Sequence, residues 1–353
     1  MKINKSALDT TVKFKELHPD RGVLEVSGQL DLSQFWPSGS SDADTAHVNV
    51  DMSVNPFKFR QTLNDPPQAT HAFDNAWVLG RQGAKQAIHG IKQNTPFLII
   101  RFQGIDAPEL HYQPVEKGTA DFRQVLGETC TVKLAENIKD GSAPSTVPCT
   151  VVTAVNHPGD VFDTYGRFIG DILINQNGNT VNLNHWLVEK GWAYPTYYDS
   201  MTVKEITAFD ALLAKSKQNA AGVYAHLTAD IKDLDWHLLF RRGGPIQQEP
   251  AGKNTLMPKI FRRLATWSVK KKNGSTQDSF IAYVKSLPKD QNQCILTSDF
   301  KQGTRKLTSL ETFLHANADN GQFDKVPEEL VFVEAPSKLF DQQQGGKEIT
   351  KWF

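Results

Sequence analysis

The chain has 353 residues, which is long for a single small barrel and predicts two domains. Hydrophobic residues make up 39% and charged residues 22%, as is ordinary for a soluble globular protein. Because 39 basic and 39 acidic residues give a formal net charge of zero, a basic field of the whole protein is excluded, and any attraction to nucleic acid must be local.

No stretch is expected to cross a membrane. Apolar runs such as FLII at 97–100 are far shorter than a bilayer requires. The N-terminal sequence MKINKSALDTTVKFKELHPDRG contains basic residues but lacks the apolar core of a secretory signal. We therefore expect a cytoplasmic protein without a membrane partner, unless a leader has been removed or export uses another route.

The cysteines do not suggest a disulfide scaffold or a metal site. Cys130, Cys149 and Cys294 form an odd, small set without metal-ligand spacing. We expect them to be small buried hydrophobic residues, and a bridge between Cys130 and Cys149 stays open for an oxidising compartment.

The first two thirds of the chain mix strand and helix patterns. Alternating or β-branched apolar residues predict strands at 23–30, 45–51, 96–102, 130–136, 149–155 and 168–174. Helices are predicted at 117–127, from 181 to a stop at Gly191, and at 202–221. The long stretch of about 52–95 is interpreted as an inserted subdomain or excursion. Strands interrupted and followed by helices predict an α+β fold with a small barrel and helical caps.

The pattern changes after residue 226. The segment GGPIQQEPAGKN is typical of a linker. A basic amphipathic stretch at 258–269 follows, then a helix at 277–286, a strand at 294–297, a helix at 308–316 and a strand at 330–334. Residues 1–226 and 227–353 are therefore predicted to form two domains, the second a smaller α+β domain.

The segment IIRFQGIDAPELH, residues 99–111, carries the residue types that phosphodiester hydrolysis needs. Asp106 offers the oxygen ligands that a hard cation prefers. Glu109 is a second carboxylate, suited to orienting or deprotonating a water molecule. Arg101 has the planar fork that binds phosphate. Charged residues at a strand end are also often solvated or ion-paired, so this cluster alone does not decide the function.

A second segment, DTYGRFIGDI at 163–172, places Tyr165, Gly166 and Arg167 at the start of a strand. Together the two segments resemble the staphylococcal nuclease (thermonuclease) family, which carries an Arg, Asp, Glu set with these offsets and a later Tyr-Gly-Arg. The resemblance spans roughly residues 23–226, with insertions at 52–95 and near 137–148. It implies an SNase-like OB-fold, a five-stranded β-barrel with helices.

The family also carries an Asp-Gly-Asp-Thr turn before its second strand, and Asp42-Ala43-Asp44-Thr45 resembles it. Two departures stand out: Ala43 replaces the glycine, and the distance in sequence from Asp44 to Arg101 exceeds that of compact members. A rival placement at Asp74 lacks the second carboxylate that a metal site wants, so Asp44 is preferred.

The resemblance implies a calcium-dependent endonuclease, or phosphodiesterase, that cleaves DNA and RNA and leaves 3′-phosphates. Asp44 and Asp106 would be the carboxylate ligands of Ca²⁺, with the backbone carbonyl of Ala107 as a third ligand. Glu109 would orient or deprotonate the attacking water. DNA or RNA is the expected partner, and the preference between them stays open.

The same resemblance assigns the remaining site residues. Arg101 and Arg167 would clamp the phosphate and stabilise its transition state. Tyr165 and one of Tyr197 or Tyr198 match positions that contact nucleotide, although packing with a solvated hydroxyl is an equal alternative for them.

Two further possibilities remain open from the sequence. Some domains of the family keep the barrel as a non-catalytic nucleic-acid or protein binding module. Residues 241–272 hold nine basic residues against the single acid Glu249, and the helix-like PKIFRRLATWSVKKK adds Phe261 and Trp267. That mixture suits phosphate contact with base stacking, and a solvated face or protein docking surface is the alternative.

Overall fold

The computed structural model describes residues 14–62, 64–80, 83–88, 90–92, 95–114, 121–139, 145–218, 222–228, 238–240, 254–317, 320–334, 337–343 and 346–353. The short helix predicted at 117–127 lies partly outside these ranges, and the basic segment 241–253 lies wholly outside them.

Five strands close into a barrel: β1 (Gly22–Asp31), β2 (Thr45–Asn49), β3 (Thr95–Phe102), β4 (Thr146–Val155) and β5 (Phe168–Gln176). Neighbours around the barrel follow the order β1, β2, β3, β5, β4 and back to β1. All pairs are antiparallel except β3 with β5, which run parallel. The structure confirms the α+β class and the five-stranded SNase-like OB-fold barrel.

Alternation along β3 determines which side chains face the barrel core. Leu98, Ile100 and Phe102 are buried, whereas the side chain of Arg101 between them keeps 12% of its surface exposed. Successive side chains of a strand point to opposite faces, so the apolar residues fill the barrel and Arg101 faces outward. Burial of these apolar side chains stabilises the barrel by about 1.5–3 kcal/mol for each large one.

Helices Gly127–Lys139, Leu183–Lys190 and Val203–Gln218 accompany the barrel. The predicted stop at Gly191 is confirmed, because this glycine caps its helix in the left-handed conformation with φ 78°. The strand predicted at 130–136 is wrong and lies within the first helix. Its buried Cys130, Leu134 and Ile138 recur every four residues, a helical spacing that continues past the end of the short CTVKLAE window.

Two other predicted helices are also wrong where the structure describes them. In 117–127, Phe122 bridges Tyr112 in extended backbone, and helix begins only at Gly127. The segment 308–316 forms strands around a short 3-10 turn, Leu310–Phe313. Leu310 and Leu314 are four residues apart, a spacing that resembles a helical repeat. In the structure, Leu310 begins the 3-10 turn and Leu314 follows its last residue.

The stretch 52–95 contains the strands Phe57–Arg60, Gln68–Ala69, Ala76–Leu79, Lys85–Ala87 and Gly90–Lys92. The first of them pairs antiparallel with β1, from Phe57 opposite Val26 to Arg60 opposite Val23. This part of the excursion therefore extends the barrel sheet instead of standing clear of it.

The C-terminal elements are the helices Pro258–Lys272, Phe280–Ser286, Lys289–Asn292 and Thr297–Lys301, and the strands Gln293–Leu296, Leu307–Ser309, Leu314–Asn317, Asn320–Phe323, Leu330–Phe332 and Leu339–Asp341. The strands and helices expected near 258–286, 294–297 and 330–334 are present, with bounds shifted by a few residues. The remaining short strands are Ile105–Asp106, Asn179–Asn182, Tyr194–Pro195 and Tyr197–Tyr198.

Several contacts cross the predicted boundary at residue 226. Tyr197–Tyr198 pairs in parallel with Leu330–Phe332, and Leu339–Asp341 pairs with Ala76–Leu79 of the excursion. Trp352 stacks on Phe59 with ring centroids 4.1 Å apart. The two-domain division stays a prediction, and the C-terminal segments are packed closely onto the barrel.

Cys130, Cys149 and Cys294 are buried, as small hydrophobic residues would be. Within the ranges given above, no helix combines the length and apolar character that crossing a bilayer requires.

Candidate active site

Arg101 and Asp106 are placed by the end of β3 and the turn that follows it. Gly104 adopts φ 74° in this turn, and a side chain there would meet the ring of Phe209 at 2.7 Å. The chain then pairs Asp106 with Tyr194 in a two-residue antiparallel ladder. The glycine permits a reversal that other residues disfavour, and the ladder fixes Asp106 beside the end of β3.

Asp44 reaches the same place from the start of β2. Thr45 is the register partner of Arg101, and the N–H of Phe102 donates to the carbonyl of Asp44 at 2.9 Å. The Arg101 guanidinium lies 3.4 Å from Asp44 Oδ2 and 3.8 Å from Asp106 Oδ1. The structure thus brings together two carboxylates that are far apart in sequence. The rival Asp74 is instead paired with His71 on the exposed surface.

The backbone of Glu109 is held by two hydrogen bonds with Gln124. The N–H of Glu109 donates to Gln124 Oε1 at 3.0 Å, and the N–H of Gln124 donates to the Glu109 carbonyl at 2.8 Å. Gly127 lies so close that an added side chain would meet this carbonyl at 2.5 Å. Glu109 is therefore buried in a fixed position next to Asp106. We call Asp44, Asp106 and Glu109 the acidic cluster.

Arg262 of the Pro258–Lys272 helix enters the acidic cluster and was missed by the sequence reasoning. Its Nη2 lies 3.2 Å from Asp106 Oδ2, and its Nη1 hydrogen-bonds Glu109 Oε1. The sequence shows Arg262 only as one of several cations in an amphipathic basic helix. That pattern does not indicate which of the cations faces the site. We call Pro258–Lys272 the basic helix.

The acidic cluster contains strongly perturbed carboxyl groups. Burial raises the pKa of Asp44 to about 7, against the pull of Arg101 and with the help of Asp106. Burial likewise raises the pKa of Glu109 to about 8, although Arg262 opposes the shift. Asp106 is also buried, but Arg262 and Arg101 together hold its pKa below the usual range. Perturbed groups gathered in one place are typical of functional sites.

Lys259, one turn before Arg262, adds another cation. Its ammonium lies 3.7 Å from the centroid of the Phe332 ring and 5.5 Å from that of Tyr198. Burial lowers its pKa well below the usual value, and Arg263, Arg262 and Arg101 add to the shift. An anion placed here would relieve both the burial and the crowding of positive charge.

Arg167 and Tyr165 lie on the loop before β5. Arg167 donates from Nε to Asp163 Oδ2 at 2.7 Å, and its guanidinium lies 5.5 Å from the Tyr165 ring centroid. The Tyr165 side chain is exposed. Among the described contacts, Arg167 pairs with Asp163 and with no member of the acidic cluster.

The other two tyrosines occupy different surroundings. Tyr198 accepts a hydrogen bond from Arg101 Nη2 at 3.0 Å, so it borders the site. Tyr197 is fully buried and donates to Asp210 at 2.7 Å, which is a packing position. Of the pair left open by the sequence, Tyr198 is the one that touches a predicted site residue.

The fit to a divalent cation depends on Asp44 and Asp106. Among the described residues, no group of three or more His, Cys, Asp and Glu side chains has the arrangement of a metal centre. However, Asp106 Oδ1 is buried without a hydrogen-bond donor, and Asp44 lies within hydrogen-bonding reach of the same carboxyl group. Two buried, adjacent carboxylates with an unsatisfied oxygen fit a hard cation, which the Ala107 carbonyl could also ligate.

Residues 99–226 match the family model described as Staphylococcal nuclease homologue. This part of the chain is an SNase domain, and β1 and β2, which precede the match, complete its barrel. The match indicates a nuclease-type or nucleic-acid-binding role. No curated protein matches the chain.

Proposed function

We propose that the protein is a calcium-dependent endonuclease that hydrolyses phosphodiester bonds in DNA, RNA or both and leaves 3′-phosphates. The observation that supports it is the convergence of Arg101, Asp44, Asp106 and Glu109 at one end of an SNase-type barrel. These residues come from two segments that are far apart in sequence, 42–45 and 99–111, and together they would supply both the cation ligands and the water-activating carboxylate.

Each residue has a chemical task in this proposal. Asp44 and Asp106, with the Ala107 carbonyl, would hold Ca²⁺, which would neutralise and bind a phosphate oxygen. Glu109 would orient or deprotonate the attacking water. Arg101 would donate two hydrogen bonds to the phosphate and stabilise the added negative charge of the transition state, and Arg167 would join it after leaving Asp163.

The basic helix supports contact with nucleic acid beyond the cleaved bond. Its last turn carries Lys270, Lys271 and Lys272, and Lys271 lies over the Trp267 ring at 4.9 Å. Cations beside a partly exposed aromatic ring suit phosphate contact and base stacking. The rest of the basic run, in 241–253, lies outside the described residues.

A non-catalytic nucleic-acid or protein binding module is the second candidate. The observation that favours it is the pairing of Arg262 with Asp106 and Glu109, because an internal guanidinium can neutralise a cluster that no longer binds a cation. In that case, the barrel would bind its partner without hydrolysis.

Plasmid degradation in calcium and in excess chelator separates the two candidates. We expect cleavage only with calcium, with 3′-phosphate ends and with loss of cleavage in the Glu109→Gln variant. Nucleic-acid binding without any cleavage in calcium would favour the binding module. Full cleavage in chelator would contradict the metal assignment.

A further inference from the structure

The basic helix is anchored to the segments that carry the acidic cluster. Gln124, which hydrogen-bonds the backbone of Glu109, also donates from Nε2 to the carbonyl of Leu256 at 2.8 Å. Leu256 lies just before the helix. Tyr194, the ladder partner of Asp106, hydrogen-bonds Thr255 at 2.9 Å between the two hydroxyl oxygens. These contacts fix the start of the helix relative to both carboxylates.

A further contact holds the helix beyond Arg262. The hydroxyl groups of Tyr112 and Thr266 lie 2.8 Å apart, and Tyr112 follows Glu109 by three residues. Apolar packing of Ile260, Phe261 and Leu264 buries the other side of the helix. The helix backbone is therefore fixed by contacts both before and after Arg262, whose side chain extends from it into the acidic cluster.

Arg262 contacts only one of the two oxygens of Asp106. Its Nη2 lies 3.2 Å from Oδ2, whereas Oδ1 lies on the Arg101 side and has no hydrogen-bond donor. The contact thus orients the carboxylate through Oδ2 and leaves Oδ1 available to a cation. The other guanidinium nitrogen holds Glu109 in place.

We propose that Arg262 is a positioning residue that completes the nuclease site from the C-terminal part of the chain. It holds Asp106 in the orientation that binds the cation and Glu109 in the orientation that directs water. Partners that orient a metal-binding carboxylate commonly change metal affinity or activity by about 10–100-fold when removed. Because Arg262 lies outside the matched residues 99–226, that match alone does not contain a complete site.

The role presupposes the nuclease activity proposed above, so its test measures calcium binding as well as turnover. Full-length Arg262→Gln and Arg262→Lys are compared with wild type by calorimetric calcium titration and by kcat and KM on an oligonucleotide. The matched control is Arg305→Gln, since the Arg305 side chain is exposed by 62%. Thermal unfolding midpoints establish that each variant is folded.

We expect Arg262→Gln to weaken calcium binding about tenfold and to lower kcat about 30-fold, while KM changes little. Arg262→Lys keeps the charge but reaches one carboxylate at a time, so it should recover part of kcat and of the calcium affinity. Arg305→Gln should match wild type in both measurements.

Unchanged calcium affinity in Arg262→Gln overturns the inference, whether or not the protein cleaves. Faster turnover with tighter calcium binding also overturns it, because the contact would then block the site. Wild-type protein that binds calcium without cleaving contradicts the proposed activity, while the titration still tests Arg262. Wild-type protein that neither binds calcium nor cleaves overturns both.

Discussion

Arg167 and Asp163 form an ion pair in which Nε and Nη2 of the arginine each lie 2.7 Å from the same carboxylate oxygen, Oδ2. The parallel register of β3 and β5 pairs Ile169 with Arg101, and Arg167 precedes Ile169 by two residues. Arg167 lies in the loop immediately before β5, the strand that pairs with the Arg101 strand. In the proposed mechanism, Arg167 would bind the phosphate together with Arg101 after its guanidinium leaves Asp163.

Arg167→Ala should lower kcat about 100-fold or more, as expected when a fixed donor to the transition state is removed. Calcium affinity should stay unchanged, because Arg167 contacts neither Asp44 nor Asp106. Single-turnover kinetics and calcium titration measure the two effects, with Arg305→Ala as control. A wild-type rate would remove Arg167 from the mechanism.

Asp44→Asn tests the choice between the two placements of the first metal carboxylate. The substitution removes one of two adjacent charges, so calcium binding should weaken about tenfold or more. Asp74→Asn is the matched control, since Asp74 is paired with His71 on the surface. Equal calcium affinities for the two variants, measured by calorimetry, would exclude Asp44 as a ligand.

Glu109→Gln separates water activation from cation binding. The amide keeps the shape of the side chain but cannot accept a proton, so kcat should fall about 100-fold or more. Calcium affinity should change much less than in Asp44→Asn. Glu136→Gln, at an exposed position, serves as control. Turnover within twofold of wild type would show that Glu109 does not act on the water.

The sequence was sufficient to predict the barrel strands and the Arg101, Asp106 and Glu109 segment, because period-two alternation and close spacing are local properties. It could not identify the contact of Arg262, which depends on how a helix more than 150 residues further on docks. It also misassigned 130–136, where Thr131 and Val132 favour strand but helical burial continues to Ile138. In both cases, tertiary packing determined the structure, and local sequence patterns do not report it.

Lys259 is expected to contact a substrate phosphate next to the one that is cleaved. Its ammonium faces the rings of Phe332 and Tyr198, and among the described residues no carboxylate lies within ion-pairing distance of it. Lys259→Met should raise KM several-fold, leave kcat nearly unchanged and reduce the salt dependence of binding by about one phosphate contact. Lys289→Met is the control. An unchanged salt slope would mean that Lys259 only packs.

Glu205 should make the stability of the fold depend on pH. Burial, reinforced by the charge of Asp171, raises the pKa of Glu205 in the folded protein to about 8 from the ordinary 4.5. Between these values the unfolded chain ionises Glu205 and the folded chain does not, so stability falls as pH rises through this window and levels off above it.

Glu205→Gln removes this ionisation but keeps the oxygen that accepts from Gln103 Nε2 at 2.9 Å. The free energy of unfolding of the variant relative to wild type should therefore increase from about pH 5 to about pH 9, by an amount on the order of 4 kcal/mol. Urea unfolding of both proteins at the two pH values measures it. The exposed Glu136→Gln is the control, and its difference in unfolding free energy from wild type should be the same at both pH values. If the difference for Glu205→Gln is also independent of pH, Glu205 is ionised within the folded protein.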